Sequence, residues 1–291
     1  MSAPRSPSKT IGPKINVLEG GLYLVATPIG NLRDITLRAL DVLGGADLIL
    51  AEDTRVAGKL LAAHGLSGKL ERYDEHAAAR ARPKALAALA AGAKVALISD
   101  AGTPLVSDPG YRLVCEVAEL GLPIHPIPGA SALLAALTVA ALPTDRFLFA
   151  GFPPPKAAAR RAFFEELAPI RATLVFYEGG SRLAASLADM AQVFGERPAA
   201  VARELTKLHE TVLRATLSEL AADPRNDDPK GEIVVLVGPG EQRAATADEA
   251  DAALSEALTR AGPAEAASEV AKALGLPRRE LYTRALALKG R

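Results

Sequence analysis

Tryptophan is absent from this 291-residue chain, and cysteine occurs once, as Cys115. One thiol cannot close an internal disulfide or build a thiolate metal cluster. Its setting, RLVCEVAEL, has helical periodicity, which reads as a small packing residue rather than a reactive thiol. Net charge is missing as well: 34 basic residues balance 34 acidic ones, which argues against a protein held to nucleic acid by its overall charge. Local basic faces remain open. The longest nearly continuous apolar run, ASALLAALTVAAL at 130–142, falls short of the ~20 residues that span a bilayer. The opening MSAPRSPSKTIGPKIN is polar and proline-broken, unlike a secretion signal. Residues 1–19 are expected to form a disordered tail, and the cytoplasm is the expected location.

Several signatures of chemistry are also lacking. No G-x-x-x-x-G-K-[ST] is present, which disfavours a Walker-type NTPase. No G-x-G-x-x-G follows a strand, so a dinucleotide-binding Rossmann domain is not expected. His64, His76, His125 and His209 are scattered without H-E-x-x-H or a short paired spacing, and no metal site is expected. A G-x-S-x-G elbow is absent too. ISDAGTP superficially resembles a strand-D-x-D-x-T phosphohydrolase motif, but Gly102 stands where the second acid would act.

What remains is a chain in which 49% of residues are apolar, ample for buried cores. From Gly20 strand-like and helix-like units alternate: GLYLVATP, ITLRALDVLGG, DLILAED, VAGKLLAAHG, PKALAALAAG, KVALISD, YRLVCEVAELG and PIHPIP. Continuous apolar strands between helices indicate an α/β layer covered on both faces. A bend at Pro126 and Pro128 marks a boundary, after which strands RFLFAGF, TLVFYEG, AAVARELT and GEIVVLVGPG follow at closer intervals, as in a mixed sheet. Beyond about Ala244 the pattern is helical, with two helices joined at Gly275-Leu276-Pro277 as in a helix-turn-helix. The expected organisation is α/β: two α/β domains with mixed sheets, at 20–128 and 129–243, and a small C-terminal helical module at 244–291.

Three strand-end loops stand out: ATPIGNLRD at 26–34, AEDTR at 51–55, and SDAGTPLVSDPG at 99–110. In an open α/β sheet ligands bind beyond the carboxyl ends of the strands, so polar loops at such ends are expected to converge. Asn31 or Asp34 is placed to cap the helix after the first loop, and Ser107-Asp108 to cap the one starting near Pro109.

Together with IPGASALLAAL, LPTDRFLFAGFPPPK, LVFYEG, VARELTKLHE and KGEIVVLV, these loops resemble, in order and spacing, the tetrapyrrole-methylase superfamily, and within it the branch that methylates ribosomal RNA. The resemblance covers roughly residues 20–240, and the tail is similar to that branch's C-terminal helical module. It implies an enzyme that uses S-adenosyl-L-methionine, held in a cleft between two α/β domains, to methylate a cytidine ribose 2′-hydroxyl in the decoding centre of 16S rRNA. It also implies a homodimer and a substrate within the 30S subunit, with no membrane partner. By similarity, the cofactor contacts are Pro28, Gly30, Gly102, Thr103, Val106, Ser131, Ala132, Tyr177 and Gly231.

A 2′-hydroxyl is a poor nucleophile until a base takes its proton, and Glu52, Asp53, Asp100 and Glu75 are the candidate bases or orienting groups. For Glu52 and Asp53 the alternative is an ion pair with Arg55. Arg33, Arg55, Arg203 and Lys207, with Lys156, Arg160 and Arg161 on one helix, are the candidate phosphate contacts. Arg278, Arg279, Arg284, Lys289 and Arg291 crowd the tail. Two segments depart from the branch's pattern: Asp74-Glu75-His76-Ala77 replaces H-E-H-N, and Gly179-Gly180-Ser181 replaces S-P-H. The competing functions are a tetrapyrrole C-methylase and a non-catalytic RNA-binding assembly factor.

Overall fold

The parallel strands of the first sheet are buried on both sides, and their residues explain it. In the computed structural model, which describes residues 18–240 and 246–289, five strands form this sheet. They are β1 (Gly21–Val25), β2 (Leu48–Ala51), β3 (Leu70–Arg72), β4 (Lys94–Ile98) and β5 (Ile124–Ile127). Tyr23, Val25, Ile49, Ala96 and Ile98 point to one face, where they pack on α1 (Leu37–Gly45) and α2 (Thr54–Ala63). Their alternates Leu22, Leu48, Leu50, Val95 and Leu97 face α3 (Ala78–Ala90) and α4 (Tyr111–Glu119). Period-two alternation with apolar residues on both faces is what a helix-covered parallel sheet demands.

The strand order is β3-β2-β4-β1-β5, and every pairing is parallel. The mixed pairing expected of both sheets therefore belongs to the second sheet alone. From β1 the chain crosses toward β2, whereas from β4 it crosses the other way to β5. The central neighbours β1 and β4 thus send their loops in opposite directions, which opens a crevice at their carboxyl ends.

The second sheet comprises β6 (Phe147–Gly151), β7 (Thr173–Gly179), β8 (Pro198–Arg203), β9 (Thr211–Thr216) and β10 (Glu232–Val237), in the order β6-β7-β10-β8-β9. β6 and β7 are parallel, and the other pairings are antiparallel. One face packs on α5 (Ala132–Val139). The other packs on α6 (Ala157–Leu167), α7 (Gly180–Phe194) and α8 (Leu217–Ala222). Ile29, carried on the loop after β1, is buried in the α5-side core with Ala202, Leu205 and Val234. It stitches the two halves together.

The chain divides into two compact units between Gly240 and Glu241. The second holds α9 (Ala247–Leu258), α10 (Pro263–Leu274) and α11 (Arg278–Lys289) around its own core of Leu254, Ala266, Val270 and Leu281. A capping box between Thr246 and Glu249 starts α9. Gly275, left-handed at φ 65°, ends α10 ahead of Pro277. The expected N-terminal tail, apart from its last two residues, and Arg291 lie outside the described residues. No helix among the described residues is long and apolar enough to cross a membrane.

Several local expectations are corrected. Thr36 caps α1 by accepting from Ala39 N–H, while Asn31 caps only the short 3-10 turn at Leu32–Asp34. β3 escapes the sequence pattern because LER is short and polar. On α6, Arg160 points inward from the same stripe as Phe164 and is 5% exposed. Its guanidinium meets Asp189 of α7 at 2.7 Å, and Arg161 reaches the same carboxylate at 3.2 Å. Arg160 is therefore a bond between helices and not a phosphate contact.

Removing one member of a buried ion pair leaves the other charge uncompensated. Arg160→Ala is expected to lower unfolding stability by about 3 kcal/mol, measured by urea denaturation. A loss below 1 kcal/mol, with weakened RNA binding instead, would restore the surface role (~1 kcal/mol being typical of exposed pairs).

Candidate functional site

Two backbone hydrogen bonds hold the crevice loops together: Thr27 N–H donates to the Gly102 carbonyl at 2.9 Å, and Gly102 N–H donates back at 3.0 Å. The Thr27 hydroxyl donates to the Ser99 carbonyl, and the Ser99 hydroxyl to that of Gly102. Gly102 adopts φ +83°, and a Cβ there would press on Ile29 at 3.3 Å. Conformation and space both select glycine. Leu105 and Ser107 are left-handed non-glycine residues at φ 73° and 67°, a strained arrangement that turns the loop along the cavity wall. Thr103 donates its hydroxyl to Ala130, tying the loop to the start of α5, where Ser131 is the N-cap.

Beyond these loops lies a cavity of ≈ 360 Å³, closed on the other side by the second sheet. Its apolar wall includes Val106, Ala132, Tyr177, Ile233 and Val234. Tyr177 is held edge-on by Phe149 at 4.7 Å and by Phe152 at 5.6 Å. Burial raises the Tyr177 hydroxyl above its ordinary value, so it stays protonated.

The charged lining is all of one sign. Glu52, Asp100, Asp108, Glu178 and Glu232 line the cavity, and among the described residues no Lys, Arg or His does. Two of the five are neutralised from behind. Glu178 pairs with Arg182 at 2.5 Å and accepts from the Ser186 hydroxyl, while Glu232 pairs with Lys207 at 3.1 Å. Asp100 accepts a 2.9 Å bond from the Asp53 N–H. Burial raises Glu52 above the usual carboxylate range, with help from the charges on Asp100, Asp74 and Asp53. Burial also pushes Asp108 up to about 6, reinforced by Glu52 and Asp100 and opposed by contact with the Ser99 hydroxyl. Crowded like charges in a half-buried wall favour a cationic ligand and disfavour a phosphate-bearing one.

Of the sequence-predicted residues, the fold brings Glu52, Asp100, Gly102, Thr103, Val106, Ser131, Ala132 and Tyr177 onto this one cavity. Pro28 and Gly30 line a neighbouring cavity of ≈ 270 Å³, which also holds Lys207. Gly231, at φ +105°, is packed against the Glu204 side chain just ahead of Glu232 and is outside the lining of both cavities. Asp53 is diverted: it caps α2 and pairs with Arg55 at 2.5 Å, which holds its carboxyl well below the usual range. Glu75 is exposed and lines neither cavity. Arg33 and Lys156 are exposed, and Arg203 donates to the Lys230 carbonyl at 3.1 Å.

Asp108 is the main residue that sequence reasoning missed. The sequence places Ser107-Asp108 as the cap of α4, but the N-cap position is Gly110, at φ 132° and without a side-chain cap. The left-handed turn at Ser107 carries Asp108 into the cavity. The doubled Ser-Asp of the loop was its one visible signal. Glu178, Glu232 and Phe152 were missed as well, being contributed by the second sheet and its loops.

Comparison with known proteins places this geometry. Residues 21–221 match the family described as tetrapyrrole (corrin/porphyrin) methylases, and residues 244–289 match the RsmI C-terminal HTH domain. A ribosomal RNA small subunit methyltransferase I of Erythrobacter litoralis is 54% identical, covering 94% of this chain and 96% of its own length. A protein of the same name from Mesorhizobium japonicum is 52% identical, covering 94% and 93%. Among solved structures, the cobalt precorrin-4 methyltransferase CbiF has a TM-score of 0.57 at 18% identity, over 75% of this chain and 94% of that one. A uroporphyrin-III C-methyltransferase from Thermus thermophilus, complexed with S-adenosyl homocysteine, has 0.53 at 21%, over 75% and 97%. At those identities the likeness is one of fold.

The Asp108 carboxyl generates a pH signature. Its native value is about 6 against an ordinary 3.8, so the native state binds the proton more tightly than the unfolded chain. The resulting stability is complete at low pH and is lost as pH rises through about 6. Asp108→Asn removes that loss. The melting temperature of the variant minus that of the wild type is expected to climb between about pH 4 and pH 7 and to level off above. A difference that stays flat with pH would remove Asp108 from the buried wall.

Proposed function

We propose, from the premise that the chain belongs to the tetrapyrrole (corrin/porphyrin) methylase family, that it moves a methyl group from S-adenosylmethionine to a cytidine ribose 2′-hydroxyl of 16S rRNA within the 30S subunit. The chain is a methyltransferase. Its rRNA substrate is supported by near-full-length relatives that carry the small-subunit rRNA methyltransferase name. The 2′-hydroxyl and the decoding centre come from the motif resemblance, as do a homodimeric assembly and a cytoplasmic setting.

The observation that carries the reading is the cavity's lining. S-adenosylmethionine carries a sulfonium and an ammonium against one carboxylate, a net cation without phosphate, and it meets a wall whose charged groups among the described residues are carboxylates. The residues fit it. Gly102 and Thr103 offer close backbone approach, Val106, Ala132 and Tyr177 an apolar slot, and Glu52 and Asp108 the opposite charge. Bound there, the donor supplies a methyl whose C–S bond breaks as the O–C bond forms, its electron pair leaving with sulfur. The chain's own part is positioning and proton removal. The carboxylates placed to take the hydroxyl proton are Glu52, Asp100 and Asp108. Tyr177, protonated and wedged by two phenyl rings, excludes water from the slot.

Labelled S-adenosylmethionine incubated with isolated 30S subunits is expected to mark one cytidine as its 2′-O-methyl form. Label entering a tetrapyrrole, with none in RNA, would overturn the assignment. Gly102→Val places a branched side chain in a left-handed turn and against Ile29. Calorimetry on that variant is expected to show at least ~100-fold weaker S-adenosylmethionine binding, with circular dichroism confirming a folded chain (~100-fold being under 3 kcal/mol). Unchanged affinity would move the cofactor away from this loop.

A further inference from the structure

We infer that the second cavity, beside the one assigned to the methyl donor, seats the acceptor nucleotide, as a single ribonucleotide drawn out of its strand. The inference rests on the methyl-transfer reading and deepens it. Three observations carry it.

The first is the shared wall. The ≈ 270 Å³ cavity is bounded by the loop after β1 and the first turns of α2, and it shares Ile29, Asp100, Ala101 and Glu232 with the donor cavity. An in-line displacement needs its two partners on opposite sides of the moving carbon. Two cavities that meet at a shared wall supply that arrangement, and of its two carboxylates Asp100 is the one that makes no ion pair among the described residues, Arg55 acting on it only through its charge at longer range. Glu232, by contrast, is tied to Lys207 at 3.1 Å, and Lys207 in turn to Glu204 at 2.8 Å. Asp100 therefore receives the proton of the attacking hydroxyl, while Lys207 fixes the wall.

The second observation is apolar surface in an exposed place. Leu32, 47% exposed, and Val56, 40% exposed, come from two separate elements to line this same cavity. The flat face of a base covers such aliphatic surface, and single-stranded RNA is recognised through bases splayed out of their stack. The third is Lys59, which lines the cavity, is exposed, and makes no ion pair among the described residues. It is placed for a backbone phosphate. The cavity is below the ~300 Å³ at which drug-sized sites begin, a size for one nucleoside rather than a tetrapyrrole macrocycle.

The test uses the full chain, 30S subunits and labelled S-adenosylmethionine, with Leu32→Asp, Val56→Asp and Lys59→Glu. Asp at 56 falls in the first turn of α2, where an acid suits the helix, so that variant keeps its fold. The expected result is S-adenosylmethionine affinity within about twofold of wild type, with KM for 30S subunits raised about tenfold by each apolar-to-acid change. For Lys59→Glu, the slope of log KM against log salt concentration falls by about one. Unchanged KM in all three variants would overturn the subsite. A matching loss of S-adenosylmethionine affinity would overturn it too, by assigning the cavity to the donor. Absent transfer by the unmodified chain registers separately, overturning the methyl-transfer reading and the subsite with it.

Discussion

Everything around the site depends on the reciprocal pair of hydrogen bonds between Thr27 and Gly102. The parallel order of the first sheet sends the loops after β1 and β4 apart, and without a tie their backbones would diverge into solvent. The bridge converts that divergence into a bounded crevice. It also explains why glycine occupies position 102, since the bridging residue must be left-handed and must leave room for Ile29. From this one contact the donor loop, the Ser99 hydroxyl and the start of α5 take their places.

The electrostatic design follows from the same geometry. Carboxylates converge because β2, β4 and the loop after β4 all end at the crevice, and the second sheet adds Glu178 and Glu232 opposite them. Pairing with Arg182 and Lys207 quiets the two from the second sheet, leaving the first-sheet group to face the ligand. Burial, with that group's mutual repulsion added, favours the protonated form of Asp108 and Glu52. A cation entering the cavity relieves that repulsion. Cation binding at this wall is therefore expected to be linked to proton release.

Much of this was legible in the sequence, and for a physical reason. Buried parallel strands must be apolar on both faces, so β1, β2 and β4 declare themselves as continuous runs, and polar residues at their ends mark the crevice. Glu52, Asp100 and the Gly102-Thr103 turn were found that way. What escaped depends on contacts between distant segments. Asp108 lies in a loop whose left-handed turns obey no periodicity. Arg160 was read as a surface charge because its partner is 29 residues away on another helix. Its i,i+4 relation to Phe164 did place it on the inward stripe, and that was the overlooked signal. Strand direction in the first sheet likewise follows from tertiary crossovers, not from composition.

Ile29 belongs by sequence to the first half of the molecule and by burial to the core of the second. Burying such a side chain is worth about 2 kcal/mol, so pulling the halves apart carries at least that penalty before any other contact breaks. The cleft is therefore latched against gaping. At the mouth of the cleft Leu105, Ser107, Glu204 and Thr206 hold left-handed conformations, and backbone strain is thereby concentrated in the loops rather than in the two sheets. The two sheets are thus locked to each other, and the strain of the fold sits at the rim of the cleft.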